Sequence, residues 1–157
     1  MNQKSEHDIH EIIKNYPYLL EEGLENLTIT HEKIYQDRTR ADFVFEDENH
    51  IIVVEIKKNF IDIEAIAQAL NYLDNEKKQK PHKILKGILV GNYISNTLKN
   101  EVNESEYKFD IKLLDIDVPT QIKICDKCRK ANSLYRSLCK YCGHRKFIID
   151  PFLFIVL

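Results

Sequence analysis

Two apolar segments separated by a short polar turn constrain the fold more than any other feature of the chain. Residues 41–45 and 51–57 are rich in β-branched and aromatic side chains, and the polar residues 47–50 lie between them. This pattern is typical of a β-hairpin. If the hairpin reverses at the middle of that turn, the numbers of paired residues sum to 97. Asp42 then lies directly opposite Glu55, at the distance of about 5 Å between Cβ atoms that is usual for a cross-strand pair.

Side chains alternate along each strand, so the hairpin has two faces of different character. One face is wholly apolar and is predicted to be core, while the other carries Asp42, Glu55 and Lys57 near one end. Two neighbouring carboxylates repel each other, and within an apolar segment they are costly unless a cation lies between them. We therefore expect Asp42 and Glu55 to bind Mg²⁺ or Mn²⁺, because Mg²⁺ sites commonly combine one or two carboxylates with substrate phosphate. Lys57 would position the attacking water or stabilise negative charge on a phosphodiester. The alternative is a surface hairpin in which Lys57 only pairs with one of the acids.

The remaining periodicity predicts an α/β domain. Ser5 is suited to cap a helix that continues to about Leu20, and the buried stripe of this helix has Glu6 at its border and Glu11 on the opposite side. The other predicted elements are a strand at 27–35, a helix at 61–75 with Ile63, Ile66, Leu70 and Leu73 on its buried side, and strands at 84–90 and 107–116. The order of helix, three strands, helix and two strands describes a mixed sheet flanked by helices. We place a boundary after residue 118, between a domain of residues 1–118 and a smaller module of residues 119–157.

All four cysteines lie in the smaller module, as two Cys-x2-Cys pairs separated by ten residues. Four thiolates complete the tetrahedral shell of a structural Zn²⁺. We therefore expect Cys125, Cys128, Cys139 and Cys142 to bind zinc in a small zinc ribbon, and the symmetric spacing disfavours free thiols or a redox pair. Gly143 suits the tight turn after the second pair. Clustered cysteines and a polar N-terminus without a signal-peptide pattern predict a cytoplasmic protein.

The smaller module is basic, whereas the rest of the chain is acidic. Residues 121–157 contain eight Lys or Arg and two acids, a net charge of +6, and the other 120 residues carry a net charge of −8. A basic module suggests contact with a polyanion, although lysines that only keep a small module soluble are the alternative. The residues that we assign to nucleic-acid contact are Lys127, Arg129, Lys130, Arg136, Lys140, Arg145 and Lys146, with Tyr135 and Tyr141 among them for stacking. The apolar segment 147–157 is predicted to be a strand that packs on the module, on the larger domain or on a partner chain.

Asp42 followed by Glu55-Ile56-Lys57 resembles the signature of the PD-(D/E)xK nucleases. A wider stretch, about residues 5–117, resembles the catalytic domain of NucS-type mismatch-specific endonucleases. The matching segments are Ser5-Glu6, Asn15-Tyr16-Pro17-Tyr18-Leu19-Leu20, Arg40-Ala41-Asp42-Phe43, Ile52-Val53-Val54-Glu55-Ile56-Lys57 and Gln68-Ala69-Leu70-Asn71-Tyr72. Ala41 replaces the proline of the nominal motif. NucS-type enzymes also carry a separate N-terminal DNA-binding domain, and this chain begins at the nuclease-like segment.

The resemblance implies a restriction-endonuclease-like fold in which Asp42 and Glu55 bind the catalytic metal and Lys57 assists the water. It implies that Glu6 completes the acidic site, and that Gln68 and Tyr72 approach the site or the DNA from one face of their helix. That face is predicted to lie away from the apolar stripe. Arg40, which precedes Asp42 by two residues, is assigned to nucleic-acid contact.

These observations predict a divalent-metal-dependent endonuclease that hydrolyses DNA, with RNA left open as a substrate. No apolar run approaches the roughly 20 residues that span a membrane. A homodimer is one arrangement that would present two sites to the two strands of a duplex. The first alternative is a non-catalytic nucleic-acid- or protein-binding module on a nuclease-like scaffold, and the second is a zinc-ribbon adaptor. A paired-carboxylate site with a lysine favours the enzyme, because a binding module has no need of one.

Overall fold

The structure is a computed structural model that describes residues 5–148. The helices are α1 (Glu6–Asn15), α2 (Ile63–Gln79) and α3 (Asn96–Glu104). The strands of a five-stranded sheet are β1 (Thr28–Ile34), β2 (Arg40–Glu46), β3 (His50–Ile56), β4 (Ile84–Gly91) and β5 (Lys108–Leu113). A smaller sheet contains β6 (Ile122–Cys125), β7 (Ala131–Ser133) and β8 (Phe147–Ile148).

The large sheet is mixed, and its strand order follows the sequence from β1 to β5. The pairs β1–β2 and β2–β3 are antiparallel, whereas β3–β4 and β4–β5 are parallel. The predicted hairpin register is confirmed, since Phe43 pairs with Val54 and Val44 with Val53. The predicted α/β class, a mixed sheet with flanking helices, is also confirmed.

Helices cover both faces of the central hairpin, so the prediction of a single core face is wrong. Phe43 and Phe45 pack against Ile9 and Ile13 of α1 in one cluster. The face that also carries the acids contains the fully buried Val53, which packs against the α2 side chains of a second cluster. A crossover helix between the parallel strands β3 and β4 must lie on one face of the sheet. Because α2 connects β3 to β4, it buries the face of the hairpin that carries the acids, which the hairpin pattern alone did not predict to be buried.

The first helix is shorter than predicted. Ser5 forms a capping box with Asp8, as its position suggested, but α1 ends at Asn15 and a 3₁₀ turn follows over Pro17–Leu19. The residue before a proline is disfavoured in the helical region, which explains the break. Helix α3 was not predicted, because it is polar and buries only Val102, although Ser95 caps it by accepting a hydrogen bond from the Leu98 amide.

Helix α2 has the predicted place, and Ile66 and Leu73 are buried as predicted, but its buried face excludes Ile63 and includes Tyr72. Ile63 is 62% exposed, while Tyr72 is only 3% exposed and lies in the core with Leu73. The expectation that Tyr72 lies away from the apolar stripe is therefore wrong. Small residues, Ala65 and Ala69, occupy the centre of the buried face. They allow the helix to approach the sheet closely. The predicted buried face did not include these two alanines, because it was based on large apolar residues alone.

The smaller sheet packs against the first helix rather than standing apart. Ile12 of α1 forms one cluster with Ile122, Ile124 and Ala131, and Tyr18 packs against it. The boundary after residue 118 stays a prediction. Only the first two residues of the predicted C-terminal strand are described, as β8; the part of that prediction over 149–157 lies outside the described residues. Within residues 5–148 no helix is both long and apolar enough to span a membrane.

Candidate active site and metal centre

The predicted trio comes together where β2 begins and β3 ends. Asp42 is the third residue of β2, and one of its carboxylate oxygens accepts a hydrogen bond of 2.7 Å from the Ile56 amide. Glu55 is 4% exposed, and its Oε1 lies 3.4 Å from Nζ of Lys57. The other oxygen of Glu55 is buried and has no hydrogen-bond partner. Only one of the two carboxylate oxygens of Glu55 therefore has a polar partner in the protein.

The electrostatics of this pair favour a bound cation. Burial, followed by the negative charge of Asp42, raises the pKa of Glu55 to about 8, and the nearby Lys57 only partly opposes this. Burial also raises the pKa of Asp42, although the Ile56 amide opposes the shift. Both acids resist ionisation because the protein supplies too little positive charge. A divalent cation would supply that charge, so the residues present fit an oxygen-ligated metal ion.

Glu6 faces the pair from the first turn of α1, and Glu11 does not. The charge of Glu6 contributes to the raised pKa of Asp42, Glu55 and Lys57. Glu11 instead contributes to the environment of His31. Within the described part of the chain, only the four cysteines bring three or more candidate metal-ligating atoms within 4.8 Å of one another. Glu6 is therefore near the two acids but is not drawn into a tight cluster with them.

A histidine pair that the sequence reasoning missed adjoins the site. His10 is buried in α1; its Nδ1 lies 3.0 Å from Nε2 of His31, and its Nε2 lies 3.7 Å from a carboxylate oxygen of Asp42. That Nε2 has no hydrogen-bond partner. The signal was available in the sequence, because residue 10 is one helical turn beyond Glu6 and on the same face.

The other predicted site residues, Tyr72, Gln68 and Arg40, differ in their exposure to solvent. Tyr72 is buried and its ring stacks on Tyr35 with the centroids 5.6 Å apart. Burial, and then the charges of Glu55 and Asp42, raise the pKa of Tyr72 to about 12. Gln68 and Arg40 are exposed. They line one shallow depression together with Thr39, Ala67, Asn71 and Tyr72.

The four cysteines form two equivalent turns. The amide of Arg129 donates to the Cys125 carbonyl at 3.0 Å, and the amide of Gly143 donates to the Cys139 carbonyl at 2.9 Å. Arg129 and Gly143 each follow the second cysteine of a pair, and both have left-handed φ, 62° and 72°. The prediction of a tight turn at Gly143 is thus confirmed, and Arg129 occupies the matching position in the first pair.

The sulfur atoms converge on one point. Sγ of Cys125 lies 3.6 Å from Sγ of Cys142, and Sγ of Cys128 lies 3.5 Å from Sγ of Cys139. All four sulfurs lie within 4.8 Å of one another, a cluster that can hold one metal ion. Burial raises the pKa of Cys139, but the Tyr141 and Cys142 amides and the Asn132 amide group outweigh it and lower the pKa to about 6. Backbone and side-chain donors thus stabilise a thiolate at this position.

The seven basic residues of the module that were assigned to nucleic-acid contact are exposed, as such contacts require. They are Lys127, Arg129, Lys130, Arg136, Lys140, Arg145 and Lys146. Lys130 lies over the rings of Tyr18 and Tyr141, with Nζ 5.4 and 4.6 Å from the ring centroids. Tyr141 itself packs edge-to-face against Tyr18, so of the two module tyrosines only Tyr135 is largely exposed.

A mixed sheet with helices on both faces, and with an Asp, a Glu and a Lys at one end of its central strands, is a nuclease-like α/β architecture. The chain belongs to the family of the endonuclease NucS C-terminal domain, whose sequence model matches residues 5–134. This match is longer than the expected 5–117, and it includes the first cysteine pair and β7. Comparison with curated proteins gives no match.

Three solved structures share the fold. A repair endonuclease from Pyrococcus abyssi is 23% identical with a TM-score of 0.58, and the match covers 72% of this chain and 49% of that one. The EndoMS–dsDNA2 complex is 20% identical with a TM-score of 0.59, covering 72% of this chain and 46% of the other. EndoMS in its apo form is 20% identical with a TM-score of 0.56, covering 72% and 48%. This chain therefore spans about half the length of each of these relatives.

Proposed function

We propose that this chain is a divalent-metal-dependent endonuclease that hydrolyses DNA phosphodiester bonds, with a zinc ribbon that aids nucleic-acid binding. The observation that carries the proposal is the buried oxygen of Glu55, which has no hydrogen-bond partner and lies on a carboxyl group with a raised pKa beside Asp42. Such a group destabilises the fold unless a cation compensates it. Family membership and the nuclease-like fold support the same activity.

The proposed roles follow from the positions of the side chains. Asp42 and Glu55 would hold Mg²⁺ or Mn²⁺, which supplies an activated water and neutralises charge on the phosphate when bound. Lys57 is partly exposed, 3.4 Å from Glu55, and can donate to the attacking water or to a phosphate oxygen. Glu6 adds negative charge from α1. His10 faces Asp42 and is a positioning residue for that carboxylate.

The outer residues would guide the nucleic acid. Gln68 and Arg40 share a depression beside the buried Tyr72. They would offer a hydrogen-bond donor and a cation to the phosphate backbone of a bound strand. The four cysteines would hold a structural Zn²⁺, since a closed set of four thiolates has no open coordination position for catalysis. The exposed lysines and arginines of the module would contact phosphates.

A cleavage assay that needs no chelator tests the activity. Purified protein is incubated with single-stranded, duplex and branched DNA while Mg²⁺ or Mn²⁺ is titrated from zero, so that the proposed zinc ion stays in place. We expect cleavage only with added metal, and at least a hundredfold loss in Asp42→Asn and Lys57→Ala. Asp47→Asn is the matched control, because Asp47 is an exposed acid in the turn of the same hairpin.

Metal binding supplies a second test that does not need cleavage. Calorimetric titration with Mn²⁺ should show a site in the wild type that is lost in Glu55→Gln and retained in Asp47→Asn. Tight DNA binding without cleavage of any substrate, in a protein that binds no Mn²⁺ at this site, would favour a non-catalytic binding module.

A further inference from the structure

The side chain of His10 directs an unpaired nitrogen atom towards Asp42. The residue is 7% exposed, and within residues 5–148 no polar atom lies in hydrogen-bond range of its Nε2. The Oδ1 oxygen of Asp42 lies 3.7 Å from this nitrogen, which is beyond the range of a hydrogen bond. A buried polar atom without a partner is costly. The nitrogen therefore calls for a partner that the described residues do not supply.

Aromatic packing fixes the direction of the His10 ring. Its centroid lies 5.4 Å from that of Phe43 and 5.3 Å from that of His31. The His31 ring in turn stacks on Phe43 with the centroids 4.6 Å apart. Phe43 is fully buried and is the residue next to Asp42 on β2. The three rings form a packed group, so Nε2 of His10 cannot turn away from Asp42 without disrupting it.

The other ring nitrogen of His10 already has a partner. Nδ1 lies 3.0 Å from Nε2 of His31, so one of these two nitrogens donates to the other. When His10 is the donor, its own Nε2 carries a lone pair and no proton. That lone pair then faces an anionic carboxylate, an arrangement that is unfavourable unless a cation lies between them. Histidines that bind metals commonly donate their other ring N–H to a neighbour in this way.

The gap between His10 and Asp42 fits a shared ion better than a bridging water. Two ligand atoms that each lie about 2.1 Å from one ion can be up to about 4.2 Å apart. The observed separation of 3.7 Å is within that limit. A water that hydrogen-bonded to both atoms at about 2.8 Å would subtend an angle of only about 80°, well below the tetrahedral angle. The oxygen that faces His10 is also the free one, since the Ile56 amide bonds to Oδ2 of Asp42.

We propose that His10 is a nitrogen ligand of the divalent cation at Asp42 and Glu55, and that this ligand makes the site prefer a first-row transition ion such as Mn²⁺ to Mg²⁺. The inference rests on the proposed nuclease function, and it adds a direct metal contact to the positioning of Asp42 by His10. Mg²⁺ takes oxygen ligands, whereas an imidazole nitrogen favours transition ions. His31 accepts the Nδ1 proton of His10 and so holds the tautomer that leaves Nε2 free. The unpaired oxygen of Glu55 and the unpaired nitrogen of His10 then have one explanation.

Spectroscopy of bound Mn²⁺ tests the contact directly. Full-length protein is loaded with Zn²⁺ at its cysteines, where the ion is diamagnetic and silent, and is then titrated with Mn²⁺. We expect electron spin-echo measurements to detect a directly bound imidazole nitrogen in the wild type and none in His10→Gln. His7→Gln is the matched control and should keep the signal, because His7 is an exposed histidine of the same helix. Asp42→Asn should lose the signal, which would assign it to the ion at Asp42.

Competition between the two metals supplies a second measurement. His10→Gln should weaken Mn²⁺ binding at least about tenfold and Mg²⁺ binding by less than about threefold, because only the transition ion gains from the nitrogen. A residue that only positions Asp42 would weaken the binding of both ions to the same extent. An equal loss for the two metals would therefore overturn the proposal.

The wild-type spectrum is decisive even if His10→Gln does not fold. Mn²⁺ bound at Asp42 without a nitrogen signal would overturn the proposal, as would a signal that persists in His10→Gln or the absence of any Mn²⁺ site. If the wild type cleaves DNA while its Mn²⁺ has no nitrogen ligand, the assignment of His10 fails and the nuclease function stands. If the nitrogen is detected and no substrate is cleaved, the nuclease function fails and the metal site stands.

Discussion

The hydroxyl of Tyr18 accepts a hydrogen bond of 2.8 Å from the backbone amide of Ala131. This bond joins the segment after α1 to strand β7 of the cysteine module, the segment of residues 122–148 that contains β6, β7, β8 and the four cysteines. Ala131 is fully buried, so this amide has no access to water. The same tyrosine packs against the cluster that Ile12 forms with β6 and β7. The helix that carries Glu6 and His10 is therefore attached to the cysteine module through its far end.

Tyr18→Phe should destabilise the protein by about 1–3 kcal/mol, because it leaves a buried amide without an acceptor while keeping the ring. Urea unfolding of the zinc-loaded protein measures the change. Tyr135→Phe is the control, since the Tyr135 ring is exposed and no loss of stability is expected. Equal stability of the two variants would mean that the Ala131 amide finds another partner.

Removal of the proposed zinc ion should loosen α1 as well as the module. The four sulfurs lie within 4.8 Å of one another, and without an ion to hold them the thiolates repel. Hydrogen exchange should then accelerate in residues 9–16 as well as in residues 122–133, and cleavage should fall because Glu6 and His10 lose their support. Added Zn²⁺ should restore both, whereas Mg²⁺ alone should not. Accelerated exchange confined to the module would show that α1 is held independently of it.

The raised pKa of Glu55 predicts how the stability of the protein depends on pH when no divalent cation is bound beside Glu55. The folded protein holds a proton on Glu55 up to about pH 8, whereas the unfolded chain releases it near the ordinary value of 4.5. The folded state therefore binds more protons across this interval, and its stability falls as the pH rises, by up to about 1.4 kcal/mol for each pH unit. Glu55→Gln should flatten this slope between pH 6 and 8, as measured by urea unfolding with zinc retained. Parallel slopes for variant and wild type would show that Glu55 ionises normally in the folded protein.

The parts of the site that the sequence could predict are those fixed by local periodicity. Asp42, Glu55 and Lys57 lie on one hairpin, whose register follows from the alternation of side chains and the position of the turn. Glu6 could be placed because a helix repeats every 3.6 residues. His10 lies one turn beyond Glu6 on the same helix face, but its place in the site depends on its contact with His31, which is 21 residues away on strand β1.

The features that the sequence could not supply depend on packing between distant segments. Tyr72 carries a polar hydroxyl group, yet its side chain lies in the core. The small residues Ala65 and Ala69 allow α2 to lie close to the sheet. The packing of the cysteine module on α1 has no local signal at all. The sequence places Ile12 on the buried stripe of the helix, but it does not indicate that Ile12 packs against Ile122 and Ile124.

The two cysteine turns predict opposite effects for two substitutions. Gly143 has a φ of 72° and no atom within 4 Å of the place where a Cβ would be, so Gly143→Ala changes only the backbone preference. A left-handed conformation costs a non-glycine residue roughly 1–2 kcal/mol. Gly143→Ala should weaken Zn²⁺ binding about tenfold in a competition assay, and Arg129→Gly should leave it unchanged or strengthen it. If Arg129→Gly weakened Zn²⁺ binding and Gly143→Ala did not, the left-handed backbone at these two positions would not control the affinity for zinc.

The ion pair between Glu76 of α2 and Lys33 of β1 predicts how two substitutions change the stability of the protein. Glu76 is fully buried; one of its carboxylate oxygens contacts Nζ of Lys33 and accepts a hydrogen bond of 2.9 Å from the Tyr35 hydroxyl. Lys33→Met would leave a buried carboxylate without its cation and should destabilise the protein by about 3–5 kcal/mol. Adding Glu76→Gln to that variant should recover a large part of the loss, because the remaining group is neutral and still accepts from Tyr35. Thermal unfolding of the two variants checks this, and the absence of any recovery in the double variant would mean that Lys33 stabilises β1 through its aliphatic stem rather than through its charge.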